Sequence, residues 1–186
     1  MTLLEKLCTA VKHAAVGYVF LHVHINLGTL DILPDWACYW FVLSAIDKLK
    51  DWRASAGLLR PLCLGLGCWE MLCWLLKLLG AVPAWFTPLA TVAAVIGLYF
   101  HFQLLTELAS LARDFGCPQD RRLLILRTVR TLLATFLALP LPWAELEVLG
   151  YLSVIVMIVV CIWLCGTLFS LKHSLEDVRT EPGSDL

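Results

Sequence analysis

Charge is scarce in this chain. Of its 186 residues only 16% are Asp, Glu, Lys or Arg and 60% are apolar, whereas soluble domains carry about 25% charged residues. With a mean hydropathy of +0.82, too little polar surface is left to coat a water-soluble globule, so a lipid-embedded protein is expected. An excess of one sign is also lacking. Fourteen Lys and Arg stand against fifteen Asp and Glu, for a net charge of −1, which argues against a nucleic-acid partner, whose phosphates call for a basic surface.

The eight cysteines include no Cys-x-x-Cys pair, and Cys63, Cys68, Cys73, Cys161 and Cys165 lie inside apolar runs. Cysteine here reads as a small hydrophobe, not as a disulfide or metal framework. No phosphate loop, His-Glu-x-x-His or Gly-x-Ser-x-Gly motif occurs, which removes the enzyme families that need them. Met1–Thr9 lacks the basic run and cleavage site of a removable leader, so the first apolar stretch is expected to stay in the mature chain.

What is present is a series of apolar runs broken by charge, proline and glycine. Six segments emerge: Leu7–Leu27, Ile32–Ile46, Ala54–Leu79, Trp85–Leu111, Leu123–Trp143 and Val148–Leu171. All read as helices. The expected fold is therefore all-α, an integral membrane bundle of six membrane-embedded helices. It forms a single domain over residues 1–173, followed by a polar cytoplasmic tail, 174–186, expected to be disordered. Every Lys and Arg except Lys77 falls at the termini or at the second and fourth connections. The positive-inside rule then places the chain in the cell membrane with both termini cytoplasmic. Trp36, Trp85 and Trp143 mark the opposite, outer connections, where an indole ring is buried while its N–H stays wet.

Two segments are short. Ile32–Ile46 spans about 22 Å at 1.5 Å per residue, against a hydrocarbon core of about 30 Å, so the first hairpin either is sheltered in the bundle or is re-entrant. The fifth segment carries Arg127 and Arg130 and then Pro140 and Pro142. Its short charge-free stretch corresponds in position to segment two, as in inverted repeats, although so biased a composition produces such likeness by chance.

Ionisable groups at membrane depth are the candidates for chemistry. Glu70 shares a helical face with Cys63, Gly67, Cys73 and Trp74, a stripe suited to close packing, so Glu70 is expected to face protein and to meet His22 or Asn26 on segment one. Tyr18, His22 and Asn26 form one stripe; His24 is turned about 200° from His22, so the two cannot share an ion on an ordinary helix. His101 is the better partner by chemistry, but it lies toward the inner side and His22 toward the outer. Paired haem ligation is thus disfavoured, and interhelical hydrogen bonding is the expected use of these groups.

The set Glu70, His22, Asn26 and His101 is accordingly the candidate intramembrane polar site. No catalytic residue, metal site or cofactor is assigned. Gly116 and Pro118 place a turn near Cys117. Glu107 and Arg127 lie equally far on either side of it, which predicts an ion pair, with Arg130 as the alternative partner. Arg121 and Arg122 suit anionic lipid headgroups, and Asp31 with Asp35 suit capping of the second helix.

The run Asn26-Leu27-Gly28-Thr29-Leu30-Asp31-Ile32-Leu33-Pro34-Asp35 resembles a pattern of small, uncharacterised multi-pass bacterial membrane proteins. The resemblance implies a bacterial inner-membrane location and transfers no activity. The leading functional class is a non-enzymatic membrane subunit or interaction protein, with a protein partner or a second copy as its contact. The alternative is a small proton- or cation-coupled transporter or channel using Glu70 and His22. A membrane enzyme or redox protein is the third class.

Overall fold

A computed structural model describes residues 2–22, 26–27, 30–31, 36–80, 86–139 and 147–180. The elements are helices α1 (Leu3–His22), α2 (Trp36–Leu49), α3 (Ala54–Gly57), α4 (Leu59–Leu78), α5 (Phe86–Asp114), α6 (Asp120–Ala138) and α7 (Glu147–Thr180). Between α1 and α2, the two-residue strands β1 (Asn26–Leu27) and β2 (Leu30–Asp31) pair antiparallel, with Asn26 opposite Asp31 and Leu27 opposite Leu30. The all-helical class stands.

Local chemistry sets the ends of the helices. At the start of α1, the Glu5 N–H donates to Thr2 Oγ1 at 3.3 Å and the Thr2 N–H donates to Glu5 Oε2 at 3.1 Å. This is a capping box. Helix α5 ends at Gly116, whose φ of +67° suits a residue without Cβ. There the Cys117 N–H reaches the Ala112 carbonyl at 2.7 Å and the Gly116 N–H reaches Arg113 at 3.0 Å, the two bonds of a Schellman motif. The helix break expected near Cys117 is therefore in place.

Six helices close into a ring. Helix α1 packs on α2, α2 on α4, α4 on α5, α5 on α6, α6 on α7, and α7 returns to α1. Ion pairs tie alternate helix starts and ends together at one pole: Lys6 to Asp51 at 2.7 Å, Arg53 to Asp114 at 3.0 Å, Arg113 to Asp120 at 3.8 Å and Arg179 to Glu5 at 3.7 Å. Hence the helices run alternately up and down, and the two ends of the described chain share the charged pole. The Lys6 hydrogen bond holds the Asp51 carboxyl below its ordinary range. Its stabilisation is present above that range and fades as pH falls through the lowered value.

The core is concentrated in the charged half. On α5, the buried residues begin at Phe100 and run to Ala112, and on α6 they are Leu123 and Leu126. Toward the other pole α5 and α7 present apolar side chains outward, among them Val92 and Val95 on α5 and Ile155, Ile158 and Ile162 on α7. An apolar belt of this kind is what lipid, not water, accommodates.

Among the described residues, three stretches are long and apolar enough to cross a membrane: Ala54–Leu78, Phe86–Asp114 and Val148–Thr180. They correspond to the third, fourth and sixth of the six expected segments, of which the second and fifth are expected to be short. Helix α1 carries Glu5, Lys6 and Lys12, α2 has only 14 residues, and α6 carries Arg121, Arg122, Arg127 and Arg130. The expected tail from residue 174 is corrected, because α7 continues to Thr180. Its buried stripe Leu164, Leu168, Leu171 and Leu175 keeps helical spacing past Lys172 and His173, and Gln119 Nε2 donates to Ser174 Oγ at 2.9 Å. Residues 181–186 lie outside the described residues.

Candidate functional site

Polar and aromatic groups meet where the packed half of the ring ends. Tyr18 on α1 and His101 on α5 are both buried, and Tyr18 Oη lies 3.2 Å from His101 Nδ1. The phenol donates or accepts in that bond according to the imidazole tautomer. Phe100 packs edge-on and Tyr39 tilted against His101, with ring centroids 5.2 and 6.4 Å from that of the imidazole. Arg130 on α6 places its guanidinium 5.8 Å from the centre of the Tyr18 ring. Four helices thus contribute to one cluster, and a phenol, an imidazole and a guanidinium can there orient or neutralise a polar group at membrane depth.

Beside this cluster, α5 and α6 separate into a cleft of about 440 Å³ with His101 and Arg130 toward its charged-pole end. Its walls carry Ala94 and Leu98 from α5 and Ala134 and Ala138 from α6. The two wall threonines add little polarity. Thr91 Oγ1 donates to the Thr87 carbonyl at 3.2 Å and Thr135 Oγ1 to Thr131 at 2.8 Å, so each hydroxyl proton is engaged by its own helix.

His101 does meet the first helix, but through Tyr18, one turn closer to the charged pole than His22. Tyr18 lies on the same stripe of α1 as His22, one turn earlier, and that offset brings its hydroxyl level with His101. The side chains of His22, Asn26, Asp31 and Asp35, together with Trp85 and Trp143, lie outside the described residues. Glu70 is half-buried on α4, a helix that packs against α2 and α5. The stripe read around Glu70 points the same way: Cys63 and Cys73 are buried, and Gly67 lies against Tyr39.

The ion pair of Glu107 with Arg127 or Arg130 is not formed. Gln103 Nε2 donates to Glu107 Oε1 at 3.2 Å, and the cation nearest Glu107 is Arg53, at 3.9 Å from Oε2. Arg127 instead donates from Nη1 to Thr106 Oγ1 at 2.9 Å and stacks 4.1 Å over Phe102. Arg127 meets α5 at Thr106, one residue from Glu107, but one residue turns a helix by about 100°. Thr106 therefore faces α6, whereas Glu107 is turned toward Arg53.

Comparison with known proteins finds no matching family model, no similar curated protein and no similar solved structure. What the fold and its apolar surface define is a class: a helical protein with, among the described residues, three helices long and apolar enough to cross a membrane.

Proposed function

We propose that this chain is a six-pass protein of the bacterial cell membrane, with both termini cytoplasmic, that acts as a non-enzymatic subunit or interaction protein. The up-and-down ring supports the six passes, because α1, α2 and α6 run beside the three apolar helices and share the same charged pole. Their charges lie mostly at that pole, where basic residues favour the cytoplasmic face. Arg121 and Arg122, exposed in the first turn of α6, are placed to meet anionic headgroups there.

The observation that carries the binding role is the packing below Tyr18 and His101. Leu7, Val11, Leu104, Leu108, Leu168 and Leu171 are all fully buried, filling much of the charged half with apolar side chains, while Glu107 and Gln119 are buried polar groups there. A partner protein or a second copy would contact the apolar belt. Reporter fusions after Thr2 and after Thr180 should both report the cytoplasm, and an outside signal from either ends the topology. In liposomes the purified chain should conduct neither protons nor cations; robust flux would overturn the binding role.

The transporter reading draws on one observation, a half-buried carboxyl at Glu70 within the apolar helix α4. Glu70→Gln separates the readings. It should abolish proton-coupled uptake if Glu70 and His22 carry it, and should leave partner capture unchanged if the carboxyl is structural.

A further inference from the structure

Arg130 is the unusual group of the cleft. Among the described residues no carboxylate pairs with it, its Nε is buried without a hydrogen-bond partner, and its contact is the Tyr18 ring. An unpaired guanidinium at membrane depth is costly, and an anion that reaches it is correspondingly well held.

Depth identifies the anion. The Arg127 to Thr106 bond fixes α5 against α6. From Phe86 to Thr106 the rise is about 30 Å at 1.5 Å per residue, the thickness of a hydrocarbon core. With the outer boundary near Phe86, Arg127 lies at the cytoplasmic edge and Arg130 one turn inside it, about 4.5 Å deeper. From His101 to Thr91 the cleft then runs about 15 Å toward the outer leaflet between apolar walls. An anionic head at Arg130 with an alkyl chain above it has the orientation of a lipid in the inner leaflet. The cleft volume, about 440 Å³, falls within the roughly 300–1,000 Å³ of ligand sites.

We infer that the α5–α6 cleft binds one acyl chain of an anionic phospholipid from the cytoplasmic leaflet, with Arg130 holding its phosphate. The site is separate from headgroup contacts at Arg121 and Arg122. It rests on the bilayer embedding proposed above.

The test uses the full chain in phosphatidylcholine vesicles doped with phosphatidylglycerol carrying a diazirine on one acyl chain. Phosphatidylcholine and a free fatty acid with the same diazirine chain serve as comparison probes. Phosphatidylglycerol adducts should map to residues 91–98 and 134–139, exceeding phosphatidylcholine adducts there roughly tenfold, because the choline ammonium of the latter balances the phosphate charge that Arg130 would hold and phosphatidylglycerol has no such cation. Arg130→Gln should remove that preference and Arg130→Lys should retain part of it.

Ala134→Trp keeps the arginine and fills the cleft, so it should lose the adducts even if Arg130→Gln does not fold. Equal labelling by the two phospholipids, an unchanged preference in Arg130→Gln, undiminished adducts in Ala134→Trp, or capture of the fatty acid alone would each overturn the inference. Adducts on the exposed face of α7 at Ile155 and Ile162 with none in the cleft would overturn the cleft and leave the embedding standing. A chain unlabelled on both would sink the embedding as well.

Discussion

Gly17→Leu should leave no folded protein to purify. Gly17 sits where α1 crosses α2, and a Cβ there would lie 2.8 Å from Val42 Cγ2 and 3.2 Å from the Cys38 carbonyl oxygen. The valine methyl can yield a little by rotation; the carbonyl belongs to the backbone of α2 and cannot. Gly17→Ala should therefore cost about 1–2 kcal/mol, since overpacking of about 1–3 kcal/mol is offset by up to ~1 kcal/mol of helix propensity. A leucine must separate the helices altogether. That separation would strip contacts from a seam whose Ala10, Ala14, Ala45 and Ile46 are all fully buried.

Gly65 supplies the control. It is also helical, but a Cβ there would meet nothing within 4 Å, so Gly65→Ala should be stabilising by up to ~1 kcal/mol. Thermal unfolding in detergent reads both, at about 2–4 °C per kcal/mol for a chain of this size. Equal behaviour of the two alanine variants would show that α1 and α2 do not approach as closely as the Gly17 contacts require.

Arg53→Met should lower stability by about 2 kcal/mol, and Glu107→Gln in the same chain should restore most of it. Glu107 is only 4% exposed. Of its carboxylate oxygens, Oε1 accepts from Gln103, while Oε2 is buried with no hydrogen bond and relies on Arg53 at 3.9 Å. Removing the cation leaves a buried carboxylate uncompensated, which costs about 3–5 kcal/mol when both partners are fully buried. The Arg53 side chain is 39% exposed, so water screens part of the loss and the smaller figure applies.

Arg53 also bonds Asp114 at 3.0 Å, but that carboxylate is exposed and Asp114→Asn should change stability by less than ~1 kcal/mol. The double variant isolates the buried term, because glutamine keeps the shape of Glu107 and removes its charge. Lack of recovery in the double variant would assign the loss to packing of Arg53 on Trp52, whose ring lies 4.4 Å from the guanidinium.

The amino-acid sequence by itself determined what depends on composition and on short spacing. Scarce charge and long apolar runs dictate a helical protein with a lipid-facing surface, since backbone amides in hydrocarbon must bond within their own segment. Gly116 marked the end of α5, because a positive φ at that turn favours a residue without Cβ. The placement of Lys and Arg marked the connections that gather at one pole. Two further signals stand in the letters: the Thr2-x-x-Glu5 capping box, and the leucine stripe that carries α7 past Lys172 to Leu175.

Other features were decided only by tertiary structure. Height along a hairpin follows from counting residues, whereas direction around the axis changes by about 100° with each one; Glu107 consequently meets Arg53 and leaves Arg127 to Thr106. The return of α7 onto α1 and the joining of Tyr18, Tyr39, His101 and Arg130 from four helices depend on how the ring closes. No local spacing encodes that closure, because apolar helix faces are nearly interchangeable in composition and are distinguished by shape, as where Gly17 admits α2. The tertiary packing brings Arg130 beside Tyr18 at the end of an apolar cleft, where among the described residues no carboxylate answers its charge.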